Sequence, residues 1–336
     1  MRKEEKVPML RRKRFNHLAK IRVVGVGNGG ITAVNAMVEA GVNSVDYVTV
    51  DDSERDLQKA RAEVSIHAAA GDPCRLLRRA LAGSDMVFIV GGLGGETGTR
   101  LAPMVAAAAR EHDALTTAIV TVPFSFEGGR RAQHAQQGIQ LLRKHVNTLI
   151  AIPNDRLLEM AGGALAFHQT YDLALNIWRE SVQGITELVN SPGLVNVDFA
   201  DVRTVMDVGG PSIIATGIGY GPAGARLAAE QATNSPFLDV TIDGARSVLF
   251  NITGGPSLTL QEVRQAASVI RRRVHPDANI IFGAAVDATL DDEIRMTVIA
   301  TGCGFSASQL GMTAVRSNNL GRITAEAFTT NPVPVA

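Results

Sequence analysis

Gly91-Gly92-Leu93-Gly94-Gly95-Glu96-Thr97-Gly98-Thr99 is the stretch on which the fold turns. It follows a short apolar run at 86–90 and precedes a helical pattern at 101–110. A strand, a glycine loop and a helix together make a phosphate-binding device. Glycines allow close backbone approach, and exposed N–H groups at a helix N-terminus supply positive potential. The same order occurs once before. Ile21-Arg22-Val23-Val24-Gly25-Val26 reads as a buried strand, Gly27-Asn28-Gly29-Gly30 follows at once, and an Ala- and Val-rich helical pattern runs over 32–40. One such loop is weak evidence, but two on neighbouring strands can hold a triphosphate from two sides. The alternative is two tight turns with no ligand, and the local pattern leaves both open.

Outward from these loops, residues 45–50 give a second strand ending in Asp51-Asp52, and 115–122 and 148–152 add two more. Strands alternating with helices imply a parallel sheet with helices on both faces. Ligands of such sheets bind at the carboxyl ends of the strands, where both glycine runs fall. From Phe167 to Asn190, Tyr171, Ala174, Leu175, Trp178, Val182, Ile185, Leu188 and Val189 recur at spacings of three and four. That stripe predicts one long amphipathic helix, stopped by Ser191-Pro192-Gly193. Strands at 247–252, 279–287 and 294–300, with a helix at 260–273, make a second α/β region. The expected division is a basic flexible tail (1–20), a nucleotide-binding domain (21–166), a central helix (167–190) and a C-terminal domain (191–306). A disordered tail rich in Ser, Thr, Asn and Pro (307–336) completes it.

The 336 residues are 46% hydrophobic, enough for a substantial core split over two domains. Lys+Arg and Asp+Glu are equal at 33 each, so the whole chain has no bias towards nucleic acid. No stretch approaches the roughly 18 consecutive apolar residues of a membrane span. The N-terminus carries Arg2, Lys3, Arg11, Arg12, Lys13 and Arg14 without the apolar run of a signal peptide, and a cytoplasmic protein is expected. That basic run is either a solvated tail or a weak contact for an acidic partner or an anionic membrane surface. Cys74 and Cys303 form no metal-ligand spacing and the seven histidines are scattered, so no metal site is expected and a reduced compartment fits.

Further motifs follow in order. They are Val120-Thr121-Val122-Pro123-Phe124-Ser125-Phe126-Glu127-Gly128, Ile152-Pro153-Asn154-Asp155-Arg156 and Pro192-Gly193-Leu194-Val195-Asn196-Val197-Asp198-Phe199-Ala200-Asp201. Ile242-Asp243-Gly244-Ala245-Arg246, His275-Pro276 and Asn279-Ile280-Ile281-Phe282-Gly283 complete the series. With Gly95-Glu96-Thr97-Gly98-Thr99, which resembles the tubulin/FtsZ signature loop, these make the chain similar to the FtsZ family over residues 21–302. The resemblance implies an α/β fold: a Rossmann-like GTPase domain with a parallel sheet, a long central helix and a second α/β C-terminal domain. It implies a GTP/GDP site in which Gly27, Asn28, Gly29, Gly30, Gly94, Gly95, Thr97, Gly98 and Thr99 cradle phosphates. Glu127 and Arg131 match positions on the ribose side, Asn154 a nucleotide contact, and Tyr171 the aromatic that stacks on guanine. Asn176 stands where FtsZ usually has the guanine-reading Asp, and an amide can still pair with that edge. The loop from Asn196 to Asp201 resembles the catalytic loop, which in the family projects onto the γ-phosphate of the neighbouring subunit. Asp198 and Asp201 would then polarise water or position Mg2+, and Asn196 would orient the loop. The alternative is that the two acids cap a turn and a helix.

Departures from the family pattern concentrate on the nucleotide site. Asn28, Ile31 and Thr32 alter the first loop, and Val50 replaces an Asn. Residues 53–85 lack a glycine-rich loop, with only Ala68-Ala69-Ala70-Gly71-Asp72 in its place, and Glu96 and Arg100 replace glycines. A carboxylate about 5 Å from a phosphate charge costs about 3 kcal/mol at an effective dielectric of about 20, or about two powers of ten in affinity. Three outcomes stand. Arg100 pairs with Glu96 and cancels its charge; Arg100 binds a phosphate; or a Glu96–Arg100 pair fills an empty pocket. At the other end, residues 328–336 show no short peptide for membrane-anchoring partners.

The expected function is a GTP-binding protein that forms head-to-tail homopolymers in cell division or a related scaffold, with hydrolysis completed by the adjacent subunit's acidic loop. A conventional FtsZ or a membrane-anchoring adaptor are its further expected partners. The alternative is an FtsZ-like structural protein that has lost GTP binding or hydrolysis, and assembles without nucleotide or modulates a conventional FtsZ. A dinucleotide-dependent oxidoreductase would use Asp51 or Asp52 as its ribose ligand but leaves the later motifs unexplained.

Overall fold

A computed structural model describes residues 19–160, 167–190, 193–234 and 240–305. The expected tails, apart from Ala19 and Lys20, and the Ser191-Pro192 stop lie outside the described residues. Six strands form a parallel sheet: β1 (Ile21–Val26), β2 (Asp46–Asp51), β3 (Val64–His67), β4 (Met86–Gly92), β5 (Leu115–Val122) and β6 (Thr148–Pro153). Their order is β3-β2-β1-β4-β5-β6. Near-continuous apolar strands such as Met86–Val90, buried throughout, mark a sheet covered on both faces. Helix α1 (Gly27–Glu39) covers one face, and α3 (Pro73–Leu81), α4 (Glu96–Arg110) and α5 (Gly129–Leu142) cover the other. The short helices α2 (Glu54–Leu57) and α6 (Asn154–Met160) follow β2 and β6. Strand order reverses between β1 and β4, and both glycine loops leave from that switch point, where α/β sheets bind their ligands.

The long amphipathic segment is one helix, α7 (Phe167–Asn190). It buries Ala174, Trp178, Val182, Ile185 and Leu188. The indole N–H of Trp178 donates to the Ile119 carbonyl of β5 at 2.8 Å, which pins the helix across the first sheet. Its far end lies on a second domain: a Cβ built on Gly184 would fall 2.8 Å from Thr297 Cγ2. That domain comprises α8 (Phe199–Met206), β7 (Ser212–Tyr220), α9 (Gly224–Thr233), β8 (Val240–Thr241) and β9 (Ser247–Gly254). It continues with α10 (Leu260–Arg271), β10 (Asn279–Val286), β11 (Glu293–Thr301) and β12 (Gly304–Phe305). Its main sheet has the order β10-β9-β11-β7, with β10 parallel to β9 and β11 antiparallel to both neighbours.

Sequence patterning points to none of β3, α3, α5, β7 or α9. Helix α9 shows why: its buried face is Ala225, Ala228, Ala229 and Ala232, which carry little hydrophobic signal. They pack because Gly217 and Gly219 of β7 leave no Cβ between strand and helix. Two boundaries also move. Helices α1 and α4 begin at Gly27 and Glu96, about one turn before the apolar periodicity begins at Thr32 and Leu101. Gly27, Gly29, Gly30 and Gly98 therefore lie within first turns.

Trp178 is the single tryptophan of the chain and is only 4% exposed. Replacing Trp178 by Phe, which removes the bond to β5, is expected to cost about 1–2 kcal/mol. Trp178→Ala is expected to cost about 3–5 kcal/mol through the cavity it leaves. Urea unfolding followed by far-UV circular dichroism measures both.

Candidate functional site

The two glycine loops form one cradle because their backbones touch. A Cβ on Gly30 would lie 2.6 Å from the Val90 carbonyl oxygen, and one on Gly91 2.5 Å from that of Val26. A Cβ on Gly98 would collide with the Gly92 carbonyl. Gly27 adopts φ +70° with its Cβ position 3.7 Å from Gly98 N, and that of Gly29 is 3.7 Å from Gly92 N. Neither α1 nor α4 carries a side-chain N-cap, whereas Asp72, Asp198 and Thr259 cap α3, α8 and α10. Two helix N-termini thus open side by side without a side-chain acceptor on their first N–H groups, which suits an anion. Gly94, at φ +97°, donates its N–H to Thr99 Oγ1 (2.9 Å), and Gly95 is the N-cap residue of α4. Asn28 is exposed in the first turn of α1, and its carbonyl accepts the Thr32 hydroxyl (3.0 Å).

Arg100 follows none of the three arrangements open to it in the sequence: it pairs with Asp52. Arg100 Nη2 donates to both oxygens of Asp52 (2.5 and 2.7 Å), and the Thr97 hydroxyl donates to Asp52 Oδ2 (3.1 Å). These bonds hold the Asp52 carboxyl below the usual carboxylate range, Arg100 contributing most. Glu96 stays exposed in the first turn of α4, where the helix dipole favours a carboxylate and water screens it. Val50 is fully buried in the core beneath α3 and α4, so its replacement of Asn does not face the cradle. Asp51 does: one oxygen accepts the Ser53 N–H (2.8 Å) and the other lies 4.0 Å from the Cβ position of Gly27. Burial pushes its carboxyl up. His67 Nε2 bonds to the Asp52 carbonyl (2.8 Å). In the segment after β3, Asp72 is committed to capping α3. Sequence analysis places Asp51 and Asp52 only in the oxidoreductase alternative and does not single out His67. An acidic pair at a strand's carboxyl end beside glycine loops was the available signal.

Towards β5, β6 and α7 the rim is aromatic and polar. Phe126 stacks on Phe124 (4.8 Å), and Phe124 meets Tyr171 edge-on at 6.4 Å. Glu127 Oε1 accepts the Phe124 N–H (2.9 Å), and its other oxygen pairs with Arg131. Asn154 opens α6, and Asp155 beside it accepts the Ser125 N–H (3.0 Å), tying the two loops together. Asn176 is exposed further along α7, its amide bonded to no other described residue.

The acidic loop stands apart. Asn196 Oδ1 accepts the Gly193 N–H (2.6 Å). Asp198 and Asp201 form a reciprocal cap at the start of α8, with N–H···O distances of 2.9 and 3.1 Å. The capping alternative is therefore realised, yet each cap uses a single oxygen, and the second oxygen of each acid accepts no bond among the described residues. Tyr171 belongs to the start of α7 and the acidic loop follows its end. The helix spans about 36 Å at ~1.5 Å per residue, so the fold does not join the two groups within one chain.

A family model described as the tubulin/FtsZ family GTPase domain matches residues 60–162, and one described as the FtsZ family C-terminal domain matches residues 210–304. The chain is similar to an empty FtsZ dimer from M. jannaschii, at 35% identity and a TM-score of 0.77, covering 84% of this chain and 88% of that one. It is similar in fold to CetZ2 from Haloferax volcanii in a GTPγS-bound protofilament, at 17% identity and a TM-score of 0.73, covering 91% and 99%.

The cradle makes unequal demands on its glycines. Gly98→Ala forces backbone against backbone and is expected to cost several kcal/mol, of the order of overpacking a core (about 1–3 kcal/mol or more). Gly95→Ala meets nothing within 4 Å and is expected to stay within about 1 kcal/mol of the parent. Thermal melts of the two variants, followed by circular dichroism, measure the contrast.

Proposed function

The chain belongs to the tubulin/FtsZ family, and from that premise we propose that it binds GTP or GDP across its glycine loops and stacks head to tail into filaments. In these filaments each subunit's acidic loop completes its neighbour's nucleotide site. The observation that carries this is the length of α7, which holds the cradle at one end and the acidic loop at the other. Copies related by translation along that helix would bring the loop of one onto the cradle of the next. Such a heterologous contact does not close on itself and so grows.

First-turn N–H groups of α1 and α4 would take the phosphates, Glu127 and Arg131 the ribose side, and Tyr171, Asn154 and Asn176 the base. Asp198 and Asp201, through the oxygens left over from capping, would orient the attacking water, with Asn196 fixing the loop. Bound Mg2+ would supply neutralisation of phosphate charge. Among the described residues no cluster of three or more His, Cys, Asp or Glu is set to hold a metal, and magnesium is commonly held by phosphates with one or two carboxylates. The cellular setting we propose is division or a related cytoplasmic scaffold, with a conventional FtsZ or a membrane-anchoring adaptor as further partners. Among the described residues no helix is long and apolar enough to cross a membrane.

A second reading, assembly without nucleotide, is favoured by Asp52, whose carboxylate already draws Thr97 and Arg100. Denaturing the purified protein and chromatographing what is released, alongside GTP titration, separates the two. Stoichiometric GDP or GTP supports the first; an empty protein that ignores millimolar GTP yet forms filaments establishes the second. Under the first, Asp201→Ala is expected to lower GTP turnover by about 10²–10⁴-fold while bound GTP is retained. Loss of the cap costs about 1 kcal/mol. Loss of binding together with turnover would refute the role given to Asp201.

A further inference from the structure

We propose that Arg100 is the residue by which this chain tells a terminal phosphate from none, GTP from GDP, and that Asp52 is its resting partner. The inference rests on the nucleotide reading above and names a specificity determinant within that site.

Strand order sets the direction of the ligand. Tyr171, Phe124 and Asn154 lie at the β5, β6 and α7 end, and the glycine cradle lies at the β1–β4 switch point. A nucleotide with its base at the first and its phosphates along the second points its last phosphate towards β2. There the carboxyl end of β2 brings Asp51 to within 4.0 Å of the Gly27 Cβ position, and Asp52 follows with Arg100 and Thr97 on it. Helical side chains lean back towards the helix N-terminus, so Arg100 reaches over the first turn of α4, whose N–H groups face the cradle.

The pair is built for exchange. Arg100 is 44% exposed and Asp52 31%, so their attraction is weakened by water. One nitrogen, Nη2, serves Asp52, Nη1 reaches only Met104 Sδ (4.0 Å), and Nε bonds to no other described residue. A guanidinium with donors to spare binds a phosphate in the fork geometry that a lysine cannot reproduce. Asp52 retains the Thr97 hydroxyl when Arg100 leaves. Glu96, exposed in the first turn of the same helix, adds negative charge at that end, so a cation beside it favours a further phosphate.

The test is isothermal titration of the full chain and of Arg100→Gln, Arg100→Lys and Asp52→Asn with GTP and with GDP in Mg2+. Circular dichroism melts confirm that each variant is folded. Arg100→Gln is expected to lower the GTP-to-GDP affinity ratio about tenfold, the worth of one charge-assisted bond. Arg100→Lys is expected to recover only part of it. Asp52→Asn, which frees Arg100, is expected to raise the ratio severalfold. An unchanged ratio in Arg100→Gln and Asp52→Asn, or equal loss of both affinities, overturns the role of Arg100 and leaves nucleotide binding standing. A parent chain that binds neither nucleotide overturns both.

Discussion

The constraint on which the rest depends is the contact of bare backbone at the β1–β4 switch point. Gly30 rests against the Val90 carbonyl, Gly91 against Val26, and Gly98 against Gly92, at separations that exclude a Cβ. Helix α1 starts directly on β1 and α4 only three residues after β4, so neither first turn is covered by a long connection. Two sets of N–H donors then face one opening. The close packing thus leaves a geometry suited to an anion. Helices α3 and α10 begin differently: the side chains of Asp72 and Thr259 cap them, whereas α5 and α9 start uncapped but away from the paired glycine loops.

Helix α7 converts that local site into a directional one. Tyr171 touches the aromatic rim, Trp178 grips β5 and Gly184 lies on the second sheet; beyond the helix end, Val195 bridges to Ala284 of β10. A rigid element of this length fixes the spacing between the cradle and the acidic loop. The capping box of Asp198 and Asp201 adds to the same end: acids held at the start of α8 by reciprocal bonds present their remaining oxygens in a set direction. A structural role and a chemical one are therefore compatible in the same two residues.

Much of this was legible in the chain. The glycine runs, the stripe from Tyr171 to Val189 and the parallel-sheet alternation each depend on local spacing, and the fold follows from them. What escaped depends on distance. Arg100 and Asp52 are 48 residues apart, so local spacing offers Arg100 only Glu96 or a phosphate; Asp52, with two acceptors and a hydrogen-bonded Thr97, takes it. Helix α9 escaped because alanines against glycines carry packing without a hydrophobic pattern. The importance of Val50 was overstated for the opposite reason. Asp51 after it turns towards the cradle, but the alternation of a strand turns Val50 itself into the core.

The charged residues around the cradle act together. Val50 faces away, and Arg100 and Asp52 compensate each other in charge, which leaves Glu96 as an uncompensated charge beside the cradle. A buried carboxylate beside a phosphate would be severe, but Glu96 stands in water at a positive helix end, and screening over about 8 Å at physiological salt blunts its field. Arg100, four residues on, offsets that charge only when it is released from Asp52. Here the glycine contacts are intact and the new charges are arranged around them, which favours a nucleotide site with altered selectivity over one abandoned.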